Sequence, residues 1–174
     1  MRIGFFAYNF PVIGRYWQKL KDKADCWWGV SEKDLYDVLK DKGVKNISFH
    51  REKYIKSFKN SKGNKFISIN QKKVQKKIRD EINPDIWVAD QSNKMDFSTK
   101  KVPWVFAVHA LPMKKSVFYK PALDYDLILL PGRYHRDEFI KRFGLDKNDK
   151  RLKVVGCPRI DDLIRGAYDR NKIM

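Results

Sequence analysis

The chain has 174 residues, of which 43% are hydrophobic and 14% aromatic, and it carries a formal net charge of +17. This composition excludes an intrinsically disordered chain, and the length suits one well-buried domain rather than two. Cys26 and Cys157 stand far apart without a metal-ligand motif, so a reducing compartment is expected, with no metal and no cofactor. The first residues are interrupted by Asn9, Pro11 and Arg15 and suit neither a signal peptide nor a membrane span.

Short apolar segments alternate with amphipathic stretches along the chain. In chain order, the predicted strands are "RIGFFAY", "DCWWGV", "NISF", "DIWVAD", "VPWVFAV", "DLILLPG" and "LKVVG". The whole opening stretch, "MRIGFFAYNFPVIGRYW", is assigned to the first core strand. Most of these segments are apolar on both faces, which is typical of parallel strands covered on both sides.

Helices are predicted between several of these strands. In "SEKDLYDVLKDKG", Ser31 is the predicted N-cap and Gly43 the predicted end. In "QKKVQKKIRDEINP", a spacing of four places Val74, Ile78 and Ile82 on one face. Further helices are predicted in "HRDEFIKRFG" and "PRIDDLIRGAY".

The alternation predicts one α/β domain over residues 1–174, Rossmann-like, with a mostly parallel open sheet and helices on both faces. A basic excursion is predicted at about residues 50–70, after the third strand, with the turn signal "NSKGNK" at its tip. Between Lys45 and Arg79 there are twelve basic residues and one acidic residue, so +11 of the +17 lies in that segment. The excess of positive charge indicates an anionic partner.

The excursion mixes basic and apolar side chains, as in "REKYIKSFKN". That mixture is typical of segments that lie on anionic membrane surfaces, and a soluble lysine-rich excursion is the alternative. The candidate membrane-surface residues are Lys53, Tyr54, Lys56, Phe58 and Lys59.

Several nucleotide and hydrolase motifs are missing from the sequence. No GxGxxG follows the first strand, and neither GxxxxGK[ST] nor GxSxG occurs. A dinucleotide site, a P-loop and the nucleophile elbow of an α/β-hydrolase are therefore not indicated.

The predicted sheet places a histidine where ligands usually bind. In open α/β sheets, ligands bind beyond the carboxyl ends of the strands, and His109 directly follows "VPWVFAV". His109 is either a catalytic or ligand-binding residue or a loop residue bonded to nearby backbone, and Lys114 and Lys115 are either phosphate ligands or a solvated pair. The same edge is expected to carry Asp90, Gly132, Arg133, Cys157, Pro158 and Arg159.

Three motifs occur in order between about residues 84 and 164. They are "HALPMKK", with His109, Pro112 and Lys114; "YD", with Tyr125 and Asp126; and "GCPRID", with Gly156, Pro158, Arg159 and Asp161. Together they resemble the amino-terminal half of the CDP-glycerol glycerophosphotransferase family, teichoic-acid-type enzymes with a GT-B fold. The glycine that follows the histidine in the family is Ala110 here.

The resemblance implies a role for each motif. His109 would be the general base on the hydroxyl of a polyprenyl-linked acceptor, and the donor, CDP-glycerol or another nucleotide-linked compound, would bind mainly in a second domain. The chain would then be an acceptor-side half, acting in the cytoplasm at the inner face of the membrane, whether as a fragment, an excised domain or one member of a split pair. The implied phosphate ligands are Lys114, Lys115, Arg133 and Arg159, and the supporting loop residues are Ala110, Pro112, Gly132, Gly156, Pro158 and Asp161.

Two other functions fit parts of the pattern. A GT-B glycosyltransferase or a nucleotide-sugar epimerase-like domain would share the architecture, because the fold does not determine the donor. A basic nucleic-acid-binding module would account for the charge, but no recognised binding motif appears.

Overall fold

A computed structural model of the protein describes residues 1–6, 10–50, 55–59, 65–69, 71–90, 102–108, 118–158 and 160. In chain order, the strands in these ranges are β1 (Arg2–Phe6), β2 (Asp25–Val30), β3 (Ile47–Phe49), β4 (Ile55–Lys59), β5 (Lys65–Ile69), β6 (Ile86–Ala89), β7 (Trp104–Ala107), β8 (Leu127–Leu130) and β9 (Leu152–Val154). The helices are α1 (Phe10–Leu20), α2 (Lys33–Asp41), α3 (Gln71–Ile82) and α4 (Arg133–Phe143), with a 3₁₀ helix at Lys120–Asp124.

Seven of the strands form one sheet in the order β3-β2-β1-β6-β7-β8-β9. Every pairing in it is parallel, and the register places Phe6 of β1 beside both Gly29 of β2 and Ala89 of β6. The predicted Rossmann-like open sheet is therefore confirmed, with all seven predicted strands present in it.

The sheet is covered by helices on both faces, as predicted. On one face, Ile13 and Trp17 of α1 pack with Leu35 and Leu39 of α2 in one buried cluster. On the other face, the α3 side chains Val74, Ile78 and Ile82 pack in a second cluster together with Phe139 of α4. Alternate strand residues belong to the two clusters, for example Val105 to the first and Phe106 to the second. This is the period of two that a doubly covered strand requires.

Two strand glycines allow large side chains to approach the backbone. A Cβ on Gly4 of β1 would lie 2.5 Å from the indole of Trp87, and a Cβ on Gly29 of β2 would collide with Ile78 of α3. The space left by Gly4 is thus filled by Trp87, whose ring stacks on Trp104 with 5.4 Å between the ring centroids. We infer that these glycines are required by packing, because any larger side chain would displace a core residue.

The structure corrects the prediction for the first segment. Residues 10–20 of the stretch assigned to the first strand form α1 instead. Pro11 is its second residue, and proline is tolerated in the first turn because the amide hydrogen that it lacks has no partner within the helix there.

The predicted N-cap of α2 was also wrong by one residue. Glu32, not Ser31, occupies the N-cap position, without a side-chain hydrogen bond to the helix, and Ser31 is buried. The predicted end at Gly43 is confirmed. Gly43 has a φ of 71° and donates to the carbonyl of Lys40, while the amide of Val44 donates to the carbonyl of Leu39 at 3.0 Å. This pattern is a Schellman motif, in which glycine supplies the left-handed residue.

The basic segment contains an antiparallel pair of strands, β4 and β5, between β3 and α3. The pairing register places Phe58 opposite Phe66 and Lys59 opposite Lys65. At the start of this segment, the carboxylate of Glu81 in α3 accepts a hydrogen bond from Ser48 at 2.7 Å and contacts Nε2 of His50 at 2.5 Å. These contacts tie α3 to β3 where the excursion leaves the sheet.

Candidate functional site

The strand order creates a topological switch point between β1 and β6. From β1 the chain continues through α1 to β2 on one side, whereas β6 is followed by β7 on the other side. Because the two connections diverge, a crevice opens beyond the carboxyl ends of β1 and β6, where ligands of such sheets bind. Phe6 and Ala89 are the last paired residues at this point.

Asp90 directly follows β6 at the switch point and is 2% exposed. Burial, together with the negative charge of Asp90, raises the pKa of the Tyr125 hydroxyl far above its ordinary value. A buried carboxylate at this position can accept hydrogen bonds from hydroxyl groups of a ligand. The sequence placed Asp90 at this edge because it follows an apolar strand, but Asp90 was not among the predicted catalytic or binding residues.

β7 ends at Ala107, two residues before His109. The amide of Val108 donates to the carbonyl of Leu129 at 3.0 Å, so the chain still runs beside β8 at the residue before His109. His109 itself lies outside the described residues. So do the neighbouring predicted residues Ala110, Pro112, Lys114 and Lys115.

Phe118 is the next described residue after Val108, and it packs on α4. Its ring lies 5.3 Å from that of Phe139 and stacks on the imidazole of His135, measured between ring centroids, while the guanidinium of Arg142 lies 4.4 Å from the centroid of its ring. His135 is buried. The described chain therefore stops beside β8 at Val108 and resumes on the face of α4 at Phe118.

The next strand end carries Gly132 and Arg133. Gly132 is the N-cap of α4 in an extended conformation, without a side-chain cap, and the first turn of the helix has no acidic residue. Arg133 is the first helical residue and is exposed. An uncapped helix start with an arginine suits a negatively charged group, because the free amides and the helix dipole favour anions.

The end of β9 contains the third predicted motif. The amide of Val155 donates to the carbonyl of Leu130 at 3.0 Å, and Gly156 then turns the chain with a φ of 84°. Pro158 begins a helical turn in which the amide of Ile160 donates to the carbonyl of Cys157 at 3.0 Å. Arg159 and Asp161 lie outside the described residues.

Tyr125 and Asp126, the second motif of the resemblance, have structural contacts. Tyr125 is 1% exposed, and its ring packs against those of Phe106 and Trp104, with centroids 5.2 and 6.3 Å away. A carboxylate oxygen of Asp126 accepts the amide hydrogen of Trp104 at 2.8 Å. The pair therefore aligns the starts of β7 and β8, at the edge opposite the switch point.

The predicted membrane-surface residues are described only in part. Lys56, Phe58 and Lys59 belong to the backbone of β4, whereas Lys53 and Tyr54 lie outside the described residues. In the ranges that the structure describes, no helix has the length and apolar character needed to cross a membrane. Within the same ranges, no group of three His, Cys, Asp or Glu side chains is placed to hold a metal ion.

Comparison with known proteins supports the fold. The chain is similar to the solved structure of UDP-N-acetylglucosamine 2-epimerase from Rickettsia bellii, with a TM-score of 0.57 and 9% identity over 99% of this chain. The similarity covers 51% of the epimerase, so this chain spans about half the length of that enzyme. No protein-family model and no curated protein matches the sequence. The comparison shows a Rossmann/GT-B-like fold, and the resemblance to the CDP-glycerol family stays a prediction.

Proposed function

We propose that the chain is the acceptor-binding half of a GT-B-like transferase that moves glycerol phosphate from CDP-glycerol to an acceptor hydroxyl. The observation that supports the proposal is the course of β7, the strand beside β6, along which the chain runs to Val108, the residue before His109. In a sheet of this order the acceptor would bind at that edge. A neutral histidine there is suited to accept a proton near pH 7.

The proposed reaction is a single displacement at phosphorus. His109 removes the proton of the acceptor hydroxyl, and the resulting oxygen attacks the β-phosphorus of CDP-glycerol. The bond from that phosphorus to the bridging oxygen breaks, and CMP leaves with the bonding electrons. Positioning and charge stabilisation dominate such transfers, which gives Lys114, Lys115, Arg133 and Arg159 their proposed role as phosphate ligands.

The proposal places the transferase at a membrane surface through the basic segment. In the register of β4 and β5, phenylalanine lies opposite phenylalanine and lysine opposite lysine, so apolar and cationic residues are neighbours in this strand pair. A polyprenyl-linked acceptor lies in the inner face of the membrane, and basic residues near anionic lipid contribute roughly 1 kcal/mol each. The hairpin would thus hold the acceptor edge close to the lipid.

A second candidate function is a nucleotide-sugar epimerase-like domain. It is favoured by the structural similarity to an epimerase that extends over 99% of this chain. Under this candidate, the same edge would bind the sugar of the nucleotide-linked substrate, and no acceptor hydroxyl would be needed.

Calorimetric titration of the 174-residue chain with glycerol 3-phosphate and with UDP-N-acetylglucosamine separates the two candidates. The transferase proposal expects glycerol 3-phosphate to bind, Arg133→Gln and Lys114→Gln to weaken that binding, and Lys150→Gln to leave it unchanged. Binding of UDP-N-acetylglucosamine with no response to glycerol 3-phosphate would favour the epimerase candidate. Because the proposal assigns donor binding to a second domain, rapid release of CMP from CDP-glycerol by these 174 residues alone would contradict it.

A further inference from the structure

A cavity of about 470 Å³ lies at the amino-terminal edge of the sheet, opposite the candidate functional site. It is formed by the end of α1, the first residues of β2 and the connection from α2 to β3. Its volume is within the range of small-molecule sites, about 300 to 1,000 Å³. None of its lining residues belongs to the predicted site.

The inner wall of the cavity is apolar. Trp17, Cys26 and Val44 line it, and these side chains are 9%, 7% and 4% exposed. The Schellman motif at Gly43 fixes the position of Val44, since its amide donates to the carbonyl of Leu39. An apolar wall that is held by the core would favour a ligand with an aromatic or aliphatic part.

The outer wall carries an excess of positive charge. Lys21, Lys42 and Lys45 line the cavity and are exposed, and no ion pair involves them within the ranges that the structure describes. Asp25 accepts a hydrogen bond from the guanidinium of Arg2 at 2.7 Å, which lowers the pKa of its carboxyl and neutralises its charge locally. Asp22 is the remaining carboxylate of the lining.

The dipoles of the two helices do not account for all three of these lysines. Lysines commonly stabilise the last turn of a helix, and Lys19 of α1 and Lys40 of α2 already hold those positions. The three lining lysines follow the helices in sequence, and the ammonium group of Lys21 lies 5.5 Å from the centroid of the Trp17 ring. Positive charge is therefore placed directly beside the apolar wall.

We infer that this cavity is a binding site for a small anion with an apolar part, such as an aromatic phosphate or carboxylate. The apolar part lies against Trp17 and Val44, and the charged group lies between the ammonium groups of Lys42 and Lys45. The inference is independent of the proposed function, because the two sites are at opposite edges of the sheet and share no residue.

The test is calorimetric titration of the folded chain with 1-naphthyl phosphate, compared with the neutral 1-naphthol. We expect the phosphate to bind more tightly than the alcohol, and Lys42→Gln/Lys45→Gln to raise its Kd about three- to tenfold, as expected for two solvent-exposed charge contacts. The matched control, Lys147→Gln/Lys150→Gln, removes two exposed lysines from the turn before β9 and should not change the Kd. Ala24→Leu fills the cavity without a change of charge and should abolish binding.

Two further measurements keep the outcome decisive. Thermal melts establish whether each variant is folded. If Ala24→Leu is unfolded, the comparison of the two double lysine variants still tests the inference. Arg133→Gln should leave the Kd unchanged, which separates this cavity from the carboxyl edge of the sheet. Equal weakening of binding by both double lysine variants would show general attraction to a chain of charge +17 and would overturn the inference. The absence of binding at about 1 mM ligand would also overturn it, because that concentration detects even weak sites.

Discussion

The ring of Phe118 stacks on the imidazole of His135, with 6.2 Å between the ring centroids and 27° between the ring planes. The same ring contacts Phe139 and the guanidinium of Arg142 on the following turns of α4. At the other end of the 109–117 segment, Val108 is bonded to β8. The two described residues that flank the segment with the proposed base, Val108 and Phe118, are therefore both packed in the core.

Replacing Phe118 by alanine should destabilise the fold and release one end of that segment. Because the ring is half-buried, we expect the free energy of unfolding to fall by roughly 1–3 kcal/mol, which is below the range for a fully buried phenylalanine. Urea denaturation measures the change. The neighbouring Tyr119 is 50% exposed, so Tyr119→Ala should stay within about 0.5 kcal/mol of the parent. Equal losses for the two variants would refute the anchoring role of Phe118.

His109→Ala tests the proposed base. In an active enzyme that contains this chain, turnover should fall by about two to four orders of magnitude, the usual contribution of a positioned general base. The melting temperature should hardly change, because a residue beyond the end of a strand contributes little to core packing. A large fall in the melting temperature, or turnover within a few-fold of the parent, would assign His109 a structural role.

Lys114→Ala should affect the same reaction differently. A charge that holds a phosphate contributes equally to the ground state and the transition state, so the KM for the acceptor should rise while kcat changes little. Steady-state kinetics at varied acceptor concentration give the two constants separately. A fall in kcat as large as that of His109→Ala would place Lys114 in the chemical step instead.

The basic segment can be tested on lipid vesicles. Replacing Lys53, Lys56 and Lys59 by glutamine should weaken binding to vesicles that contain anionic lipid by roughly 3 kcal/mol, about 1 kcal/mol for each charge near the surface. Replacing Lys73, Lys76 and Lys77, all exposed on α3, removes the same charge as a control and should have a smaller effect. If neither triple variant loses binding, the segment is a soluble excursion, and equal losses would show that vesicle binding depends on net charge and not on this segment.

Asp149 should make stability depend on pH in the acidic range. Hydrogen bonds from the guanidinium of Arg151, the shortest 2.7 Å, lower the pKa of its carboxyl below the unfolded value of about 3.9. The contribution of Asp149 to the free energy of unfolding is therefore complete at pH values above the unfolded pKa and is lost as the pH falls through the folded pKa. Asp149→Asn should lower the free energy of unfolding by about 1 kcal/mol at pH 7 and by less near pH 2, measured by urea denaturation at both values. Asp137→Asn, in which an exposed carboxylate is changed, should show no such difference.

Local patterns predicted most of the main sheet. "DCWWGV" and "VPWVFAV" are apolar on both faces, and a strand covered by helices on both sides needs that composition. The segment that became α1 was missed because the whole apolar opening stretch was assigned to the first strand, whereas proline in a first turn is compatible with a helix. The strand order, and with it the switch point, depends on contacts between distant segments that no local pattern contains.

The candidate site was predictable only where a residue follows a strand directly. Arg133 and Gly156 are at the carboxyl edge for that reason, and so is Asp90. The burial of Asp90 and the effect of its charge on the pKa of Tyr125 could not be predicted, because the two residues are far apart in sequence and only the pairing of β6 with β7 and of β7 with β8 brings their strands into one sheet. The same packing makes Tyr125 and Asp126 structural, although their sequence motif belongs to the resemblance.

Within the described part of the chain, the outermost strands of the seven-stranded sheet, β3 and β9, have only three residues each. An unpaired strand edge is a template on which a second molecule can add its own strand, and a template of three residues offers few amides and carbonyls. The longer strands β4 and β5 contain Lys56, Lys59 and Lys65, and lysine in an edge strand disfavours the addition of another strand. The protein should therefore resist fibril-like self-association even when it is concentrated.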